Sequence, residues 1–376
     1  LVTTRAREMN NTICYVNIVG GQDDLVFDGD SMIIDPKGQR IASGLRFRED
    51  LIVCDLDLPL AQSGAPLPAN TQRVEISVRE AGAQALENRP IVQTSELGTL
   101  WDALVTGTRD YVEKNGFPSA LLGLSGGIDS AVCAAIASDA IGASRVYGVS
   151  MPSVHSSQHS LDDAAELANN IGLHHRVEPI ANLVEPFDSQ LGLSGLAAEN
   201  VQARARGVLL MALSNSEGHL VLTTGNKSEL AVGYSTIYGD SVGGFAPIKD
   251  VPKTLVWELA LWRNEHAQDL GETPPIPISS IEKQPSAELR PGQTDQDSLP
   301  DYETLDNILD LLVVQGLDLP GIVARGFDQN LVAEILTLVS RAEWKRRQGA
   351  MGPRISSVAF GRDRRLPVTS KPTTFS

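Results

Sequence analysis

The chain has 376 residues, of which 42% are hydrophobic, and its formal net charge is −16 at pH 7. A chain of this length and hydrophobicity favours two globular domains over a single domain or a disordered polymer. The acidic balance argues against a nucleic-acid-binding surface, because such a surface needs an excess of Lys and Arg to neutralise phosphates.

The cysteines and the apolar runs indicate the cellular compartment in which we expect the protein. Cys14, Cys54 and Cys133 are scattered and form no Cys-x-x-Cys pair, which indicates neither a disulfide scaffold nor a zinc site. We expect each of them to be a small buried hydrophobic side chain. No apolar run approaches the ~20 residues of a membrane span, and the first residues have no apolar signal core. We therefore expect a cytoplasmic protein with no membrane partner.

The first 60 residues predict a β-rich segment, which begins without an initiator Met and so indicates a fragment of a longer chain. Apolar runs predict strands at residues 13–19, 32–34, 40–42 and 51–57. Residues 35–38 contain Pro and Gly, the residues that favour a turn between two strands.

A change of composition marks the next part of the chain. Residues 62–93 are rich in Pro, Ala, Gly and polar side chains, which predicts a linker. From residue 94 onward strands alternate with helices. The predicted strands are 120–124, 145–150 and 220–224, and the predicted helices are 129–140, 160–171 and 196–215. Such alternation predicts an α/β fold with a doubly wound parallel sheet.

The most informative motif is Gly-Leu-Ser-Gly-Gly-Ile-Asp-Ser at residues 123–130, between a predicted strand and a predicted helix. Glycines there let backbone amides approach a ligand, and a helix N-terminus favours phosphate. The loop lacks the Gly-Lys-Ser/Thr of a Walker A motif. It does satisfy the G-x-S-x-G pattern of a serine hydrolase with Ser125 as nucleophile, and a plain glycine-rich turn is a third interpretation.

A second motif covers residues 223–240, from Thr-Thr-Gly-Asn-Lys-Ser-Glu to Tyr-Gly-Asp. It follows a predicted strand, and the carboxyl ends of parallel strands are where doubly wound sheets bind ligands. Ordinary helix capping by its Ser and Glu is the alternative. Near the C-terminus, residues 341–365 are rich in Lys and Arg. This stretch is typical of a solvated basic face, or of a pocket wall for an anionic small molecule.

These motifs carry a resemblance to a known family. Residues 123–130 look like the phosphate loop of the ATP pyrophosphatases, and residues 223–240 resemble the signature of NAD⁺ synthetases. Further agreement lies at 199–206, 251–254, 285–289, 345–348 and 359–362. The resemblance covers residues 94–376 and implies an ATP pyrophosphatase domain with a Rossmann-like fold. Ile237 and Gly244 depart from the ammonia-only branch, which favours the glutamine-dependent branch.

The N-terminal segment resembles a different domain. Residues 17–29 look like the end of the nitrilase-type glutaminase domain that is fused to these synthetases. We therefore expect a glutaminase remnant at 1–61, a linker at 62–93 and the synthetase domain at 94–376. The catalytic Glu, Lys and Cys of such glutaminases are expected to be missing from this chain.

The resemblance implies a ligase of NAD biosynthesis. Such enzymes adenylate the nicotinate carboxylate of deamido-NAD⁺ with ATP and release pyrophosphate. Ammonia, derived from glutamine in the full-length enzymes, then displaces AMP and gives NAD⁺. Because the substrate carboxylate is the nucleophile, the protein supplies positioning and charge neutralisation. Two alternatives stay open from the residues alone, a serine hydrolase acting through Ser125 and a non-catalytic ATP-binding module.

The resemblance also assigns residues. Residues matching ATP contacts are Gly123, Leu124, Ser125, Gly126, Gly127, Ile128, Asp129, Ser130, Thr224, Lys253 and Ser286. Candidates for deamido-NAD⁺ are Asn200, Arg204, Glu229, Tyr234 and Lys345. Asp129 and Lys253 are the catalytic candidates, and Asp129 and Glu229 would hold Mg²⁺, a hard cation that prefers carboxylate and phosphate oxygens. We expect no nucleic-acid partner and a homodimer or higher homo-oligomer.

Overall fold

The computed structural model describes residues 1–56, 58, 69–72, 86 and 94–369. It divides into two compact units, one of Leu1–Val19 with Phe27–Thr94 and one of Gly20–Val26 with Ser95–Ser376. Most of the predicted linker at 62–93 lies outside the described residues, so the predicted domain bounds stay a prediction. None of the described helices is long and apolar enough to cross a membrane.

The first sixty residues contain short elements. In chain order they are α1 (Val2–Met9), β1 (Ile13–Tyr15), β2 (Val19–Gln22), β3 (Leu25–Asp28), β4 (Met32–Ile34) and β5 (Arg40–Ser43). The strands β1, β4 and β5 form an antiparallel sheet in that order, and β2 pairs with β3. The turn between β4 and β5 is confirmed, since the Gly38 amide donates to the Asp35 carbonyl at 2.9 Å.

Three features of this segment differ from the sequence prediction. The strand expected at 13–19 is interrupted, because β1 ends at Tyr15 and β2 begins at Val19. The strand expected at 51–57 is wrong for its described part, since residues 51–56 form no strand. Leu51 and Val53 are 82% and 63% exposed, so these apolar side chains have no sheet to pack against. Helix α1 was not predicted.

The remainder of the chain alternates strands and helices as predicted and then becomes helical. The strands are β6 (Ala120–Gly123), β7 (Val146–Ser150), β8 (His174–Val177) and β9 (Leu220–Val221). The helices are α2 (Glu96–Lys114), α3 (Ile128–Ile141), α4 (Gln158–Ile171), α5 (Ala181–Leu191), α6 (Leu196–Glu217), α7 (Lys227–Val232), α8 (Lys253–Asp269), α9 (Ile278–Glu282), α10 (Tyr302–Leu309), α11 (Leu319–Val323), α12 (Gln329–Arg341) and α13 (Glu343–Arg346). Single turns of 3₁₀ helix lie at Ala143–Arg145 and Asp295–Asp297, and a π-helical turn extends α10 over Asp310–Val314.

The four strands β6 to β9 form one parallel sheet in the order β8–β7–β6–β9. The predicted α/β fold with a doubly wound sheet is therefore confirmed. The chain moves outward from β6 to β8 and then returns to the other side of β6 for β9. Ligands of such sheets bind where the strand order reverses, beyond the carboxyl ends of the strands.

Alternating side chains of β6 bury both faces of the sheet. Ala120 and Leu122 belong to a core cluster that includes residues of α2, α3 and α8. Leu121 points to the opposite face and packs with Leu210 of α6. Both faces are apolar because helices cover both, as the period of two along a strand requires.

A second core supports the C-terminal helices. Most of its buried side chains come from α7, α10 and α12, with Leu305, Ile308, Val332 and Ile335 almost fully buried. This cluster fixes α7, a helix of six residues that is too short to be stable alone. The position of α7 matters because it carries Glu229.

Candidate active site

The loop at residues 123–130 forms one wall of the site. It leaves the carboxyl end of β6 at Gly123 and leads into α3. Gly126 has a φ of +75°, and a Cβ there would lie 2.3 Å from the carbonyl oxygen of Ser160, so a larger side chain does not fit. Gly127 is the N-cap residue of α3 and has no side chain to bond the first N–H groups of the helix. The backbone N–H groups at the start of α3 are therefore suited to an anion such as a phosphate.

Hydrogen bonds within the loop hold Ser125. Its amide donates to Ser130 Oγ at 3.3 Å, and its own Oγ lies 3.2 Å from Ser130 Oγ and from the Gly127 nitrogen. The histidines that bond a serine, His175 and His219, bond other serines. In the described part of the chain, no base lies within hydrogen-bond distance of Ser125, although a nucleophilic serine requires one. The serine hydrolase alternative is not supported.

A cavity of about 300 Å³ opens at the carboxyl edge of the sheet. It is lined by most of the residues that the motifs predicted. These are Gly123, Leu124, Ser125, Gly127, Ile128, Asp129, Ser130, Thr224, Glu229, Tyr234, Lys253 and Ser286. Segments separated by more than a hundred residues in sequence thus meet at one cavity, as expected for strand ends of a parallel sheet.

Four predicted residues do not line this cavity: Gly126, Asn200, Arg204 and Lys345. Gly126 is turned toward α4, as its close approach to Ser160 requires. The Asn200 side-chain oxygen accepts a hydrogen bond from a threonine hydroxyl at 2.8 Å, and Arg204 Nε donates to a carbonyl at 3.3 Å. Their contacts are with the segment that follows α7. Their roles in binding stay predictions.

Lys345 is held by backbone oxygens. Its ammonium donates to the carbonyls of Gly233 and Ser235, each at 2.8 Å. Both carbonyls flank Tyr234, whose side chain lines the cavity. Burial lowers the pKa of Lys345, while nearby Asp240 opposes this shift. In this structure Lys345 therefore fixes the cavity wall around Tyr234.

A buried ion cluster lies at the base of the cavity. The ammonium of Lys253 is bonded to Asp129 Oδ2 and lies 3.8 Å from Glu229 Oε1. Asn226 donates through Nδ2 to Asp129 Oδ1 at 2.9 Å and caps α7 through its side-chain oxygen. The side chain of Lys253 is 2% exposed. The predicted catalytic pair, Asp129 and Lys253, is thus brought into direct contact.

The cluster carries more carboxylates than cations. Burial and the charge of Asp129 raise the pKa of Glu229 to about 8. Burial lowers the pKa of Lys253, but Asp129 and Glu229 outweigh this effect and raise it above its ordinary value. A third carboxylate, Asp295, accepts the hydroxyl of Tyr302 at 2.7 Å. One ammonium among these carboxylates leaves negative charge that a cation would offset.

The described residues contain no group of three or more His, Cys, Asp or Glu side chains that could hold a metal ion. Asp129 and Glu229 are the carboxylates of the cavity wall nearest to Lys253 that could contribute to a cation site. A Mg²⁺ ion is often bound by one or two carboxylates together with substrate phosphates. The side chains present fit that arrangement.

Four basic residues of the cavity wall were not among the predicted contacts: Arg206, Lys249, Lys283 and Arg346. Arg206 lies at the end of the motif at 199–206, and burial lowers its pKa to about 10. Its Nε donates to the Met151 carbonyl at 3.0 Å. Lys283 precedes the motif at 285–289, and its ammonium lies 3.0 Å from Glu288. Arg206 and Arg346 lie within quoted motifs, and Lys249 and Lys283 lie just before one, so proximity to a motif was the signal available in the sequence.

The cysteines only partly follow the prediction. Cys133 is buried, and burial raises the pKa of its thiol well above the ordinary value. Cys14 is exposed and Cys54 is partly exposed. The expectation that all three are buried is wrong, because Cys14 lies in the thin antiparallel sheet of β1, β4 and β5.

Comparisons with family models give two matches. The NAD synthase model matches residues 100–349, and the carbon-nitrogen hydrolase model matches residues 1–65. The second match confirms that a glutaminase-like segment precedes the synthetase part. It gives no support to the expectation that glutaminase residues are missing from the chain.

Curated relatives agree with the first match. The chain is 45% identical over 375 residues to the glutamine-dependent NAD(+) synthetase of Acinetobacter baylyi, covering 98% of this chain and 64% of the relative. It is 43% identical over 390 residues to the enzyme of the same name from Thermotoga maritima, covering 98% of this chain and 66% of the relative. The chain thus spans just under two thirds of the length of these relatives.

Solved structures extend the comparison. The glutamine-dependent NAD⁺ synthetase of Acinetobacter baumannii in complex with ADP is 43% identical, with a TM-score of 0.62, covering 100% of this chain and 65% of that chain. The NMN synthetase of Francisella tularensis is 26% identical, with a TM-score of 0.56, covering 71% of this chain and 100% of that chain.

Proposed function

The chain belongs to the NAD synthase family, and we propose that it is the synthetase part of a glutamine-dependent NAD⁺ synthetase. In this function ATP adenylates the nicotinate carboxylate of deamido-NAD⁺, pyrophosphate leaves, and ammonia displaces AMP to give NAD⁺. One observation carries the proposal. The phosphate-type loop at 123–130, the buried pair of Asp129 and Lys253, and Glu229 share one cavity at the strand ends.

The adenylation step follows from this geometry. A carboxylate oxygen of the substrate attacks the α-phosphorus of ATP, and the bond to the pyrophosphate oxygen breaks. Backbone N–H groups of the loop at 123–130 receive the phosphates, and the Lys253 ammonium offsets charge on the departing pyrophosphate. Ser125 binds phosphate in this scheme and forms no covalent bond. The non-catalytic ATP-binding alternative gains no support from a cavity that holds such a cluster.

The amidation step needs a neutral nitrogen nucleophile. Ammonia attacks the carbonyl carbon of the acyl adenylate, AMP leaves with its bridging oxygen, and the amide nitrogen loses a proton. Only NH₃ has the lone pair for this attack, so activity with ammonium salts rises with pH. We assign the supply of ammonia to glutamine, as the carbon-nitrogen hydrolase match at 1–65 and the names of the relatives support.

Mg²⁺ is proposed as the metal of the site. Asp129 and Glu229 would hold it, and the excess of carboxylates around Lys253 supports this assignment. The ion would neutralise phosphate charge when bound with ATP. Burial and the charge of Asp129 raise the pKa of Glu229 even beside the Lys253 ammonium, which fits a position that faces further positive charge.

The remaining site residues are proposed to bind the two substrates. Tyr234 lines the cavity and is proposed to contact deamido-NAD⁺. Asn200, Arg204 and Lys345 are proposed to support the wall that binds the dinucleotide, since their recorded partners lie in the segment after α7. Thr224 and Ser286 are proposed to contact ATP.

The organisation of the whole protein is also a proposal. We keep the bounds of 1–61 for the glutaminase segment, 62–93 for the linker and 94–376 for the synthetase. A cytoplasmic setting is supported by the few scattered cysteines. A homodimer or higher homo-oligomer is supported by the apolar side chains of Phe187 and Leu191, which are 53% and 60% exposed on α5.

The testing experiment measures pyrophosphate released from Mg·ATP with three candidate acceptors in the presence of ammonium chloride. Deamido-NAD⁺ is expected to support release and NAD⁺ formation in equal amounts. Nicotinate mononucleotide is the second acceptor, because the Francisella tularensis neighbour is an NMN synthetase. Water alone is the third. Release with the mononucleotide only, or with water equally well, would refute the proposed function.

A further inference from the structure

We infer that Asp306, on helix α10, is a positioning residue that sets the distance between Lys253 and Glu229. This inference rests on the proposed function, because it concerns the same reaction. Asp306 does not line the cavity. It belongs to none of the sequence motifs, and it acts through its neighbours.

Both carboxylate oxygens of Asp306 accept hydrogen bonds. Oδ1 accepts from the hydroxyl of Ser228. Oδ2 accepts from the backbone N–H of Thr254 at 2.9 Å and from its hydroxyl at 2.8 Å. The oxygen of Ser228 in turn accepts the backbone N–H of Lys253 at 2.8 Å. One carboxylate therefore ties the start of α7 to the start of α8.

These contacts supply hydrogen-bond acceptors to the first turn of α8, which has no side-chain cap of its own. The residue before α8 is Pro252, which offers no side-chain hydrogen bond to the first turn. Free N–H groups at a buried helix start need partners. Asp306 provides one for Thr254 and, through Ser228, organises one for Lys253. A negative charge at a helix N-terminus is also electrostatically favourable.

The two residues that donate hydrogen bonds to Asp306 are sequence neighbours of Glu229 and Lys253. Ser228 directly precedes Glu229 on α7, and Thr254 directly follows Lys253 on α8. The Lys253 ammonium lies 3.8 Å from Glu229 Oε1, so a small shift of either helix start changes that distance. A misplacement of about 1 Å in a site that works by positioning can reduce the rate about 100-fold.

A second residue of α10 supports the same cluster. Tyr302 lies one turn before Asp306, on the same face of the helix. Its ring centroid is 5.3 Å from the Lys253 ammonium, and its hydroxyl donates to Asp295 at 2.7 Å. Helix α10 thus contacts the ion cluster directly through Tyr302, and one turn later Asp306 bonds the residues that adjoin Glu229 and Lys253.

The test is Asp306→Asn in the chain as it stands. Three donors converge on the carboxylate, whereas the Asn side chain has one acceptor oxygen and an NH₂ donor. At least one donor of Ser228 or Thr254 therefore loses its partner. We expect kcat for ammonia-dependent NAD⁺ formation to fall about 10- to 100-fold. The KM values for ATP and deamido-NAD⁺ should stay within about threefold, because Lys253 is the cavity residue that moves and the rest of the wall keeps its contacts.

The matched control is Asp301→Asn on the same helix. Asp301 caps α10 by accepting the Thr304 N–H at 2.8 Å and is exposed, so this variant should retain wild-type kcat. Thr254→Val removes the hydroxyl that donates to Asp306 Oδ2. It tests the same contact in case Asp306→Asn fails to fold. It should lower kcat in the same direction while the melting temperature stays near that of the wild type.

Two further measurements separate the outcomes. Adding Asp306→Asn to Lys253→Met should cause a smaller loss of kcat than Asp306→Asn causes alone, because Asp306 acts in part through Lys253. A crystal structure of Asp306→Asn should show the Lys253 ammonium displaced from Asp129. Wild-type kcat, or an unchanged Lys253 position, would overturn the inference. A wild-type chain without deamido-NAD⁺-dependent turnover would refute the proposed function instead, and the crystal structure would then decide the role of Asp306.

Discussion

Lys253→Met is the substitution whose consequences follow most fully from the structure. Met matches the length and apolar stem of Lys but carries no charge. The Lys253 side chain is 2% exposed, and the ammonium that the substitution removes is bonded to Asp129 and lies 3.8 Å from Glu229. The carboxylates of the cluster are left without a cation, in a site where burial already raises the pKa of Glu229 to about 8.

The expected magnitudes follow from this burial. Removing one partner of a buried ion pair costs about 3–5 kcal/mol of folding stability. The loss should lie toward the lower end, because Glu229 can take up a proton when the ammonium is gone. For catalysis, losing one preorganised charge at the departing group typically reduces kcat about 10²- to 10³-fold. The loss of stability and the loss of kcat can be separated, because unfolding is measured without substrate.

The assay combines urea unfolding with pyrophosphate release at saturating Mg·ATP and deamido-NAD⁺. Lys227→Met is the matched control. Lys227 is also buried, its ammonium lies 2.8 Å from Asp250, and it does not line the cavity. The free energy of unfolding should fall by a similar amount in both variants. Only in Lys253→Met should kcat also fall, by about two orders of magnitude or more. Equal loss of kcat in the two variants would refute a direct role for Lys253.

Three other predictions concern single side chains. Asp129→Asn should raise the activation barrier of pyrophosphate formation by several kcal/mol and so lower the rate about 10²-fold or more, while the fold survives. A rate within about threefold of wild type at saturating Mg²⁺ would show that Asp129 does not belong to the site. Ser125→Ala should weaken ATP use, and a fluorophosphonate probe should leave Ser125 unlabelled, since its oxygen is bonded within the loop and has no base beside it among the described residues; stoichiometric labelling would restore the hydrolase alternative. Burial lowers the pKa of His175 below its unfolded value near 6.5, so its contribution to stability is present above that value and is lost as pH falls through the lowered pKa. Urea unfolding from pH 7 to pH 5 should therefore show a steeper stability loss in wild type than in His175→Gln, and equal slopes would contradict this.

The sequence predicted the part of the site that is encoded locally. The glycines and serines at 123–130 could be assigned to a phosphate loop because strand, turn and helix signals follow each other directly there. Thr224 and Glu229 were assigned through the resemblance of residues 223–240 to the NAD⁺ synthetase signature. Arg206, Lys249, Lys283 and Arg346 were missed because proximity to a motif does not show which long side chain reaches the cavity.

The features that could not be predicted from the sequence depend on tertiary packing. Strand β8 has the sequence His-His-Arg-Val with exposed ends, and no periodicity distinguishes such a short edge strand from a loop. Helix α7 forms because it packs against α10 and α12. Lys345 was predicted to bind the dinucleotide, yet its ammonium is bonded to the carbonyls beside Tyr234. Only the folded chain brings those carbonyls to it.

The central claim is that ATP adenylates the substrate carboxylate, and isotope transfer tests it most directly. The chain would be incubated with Mg·ATP, ammonium chloride and deamido-NAD⁺ labelled with ¹⁸O in both carboxylate oxygens. Attack of a carboxylate oxygen on the α-phosphorus, followed by displacement with ammonia, predicts AMP with one ¹⁸O per NAD⁺ formed. Unlabelled AMP, or ¹⁸O in pyrophosphate, would contradict the account.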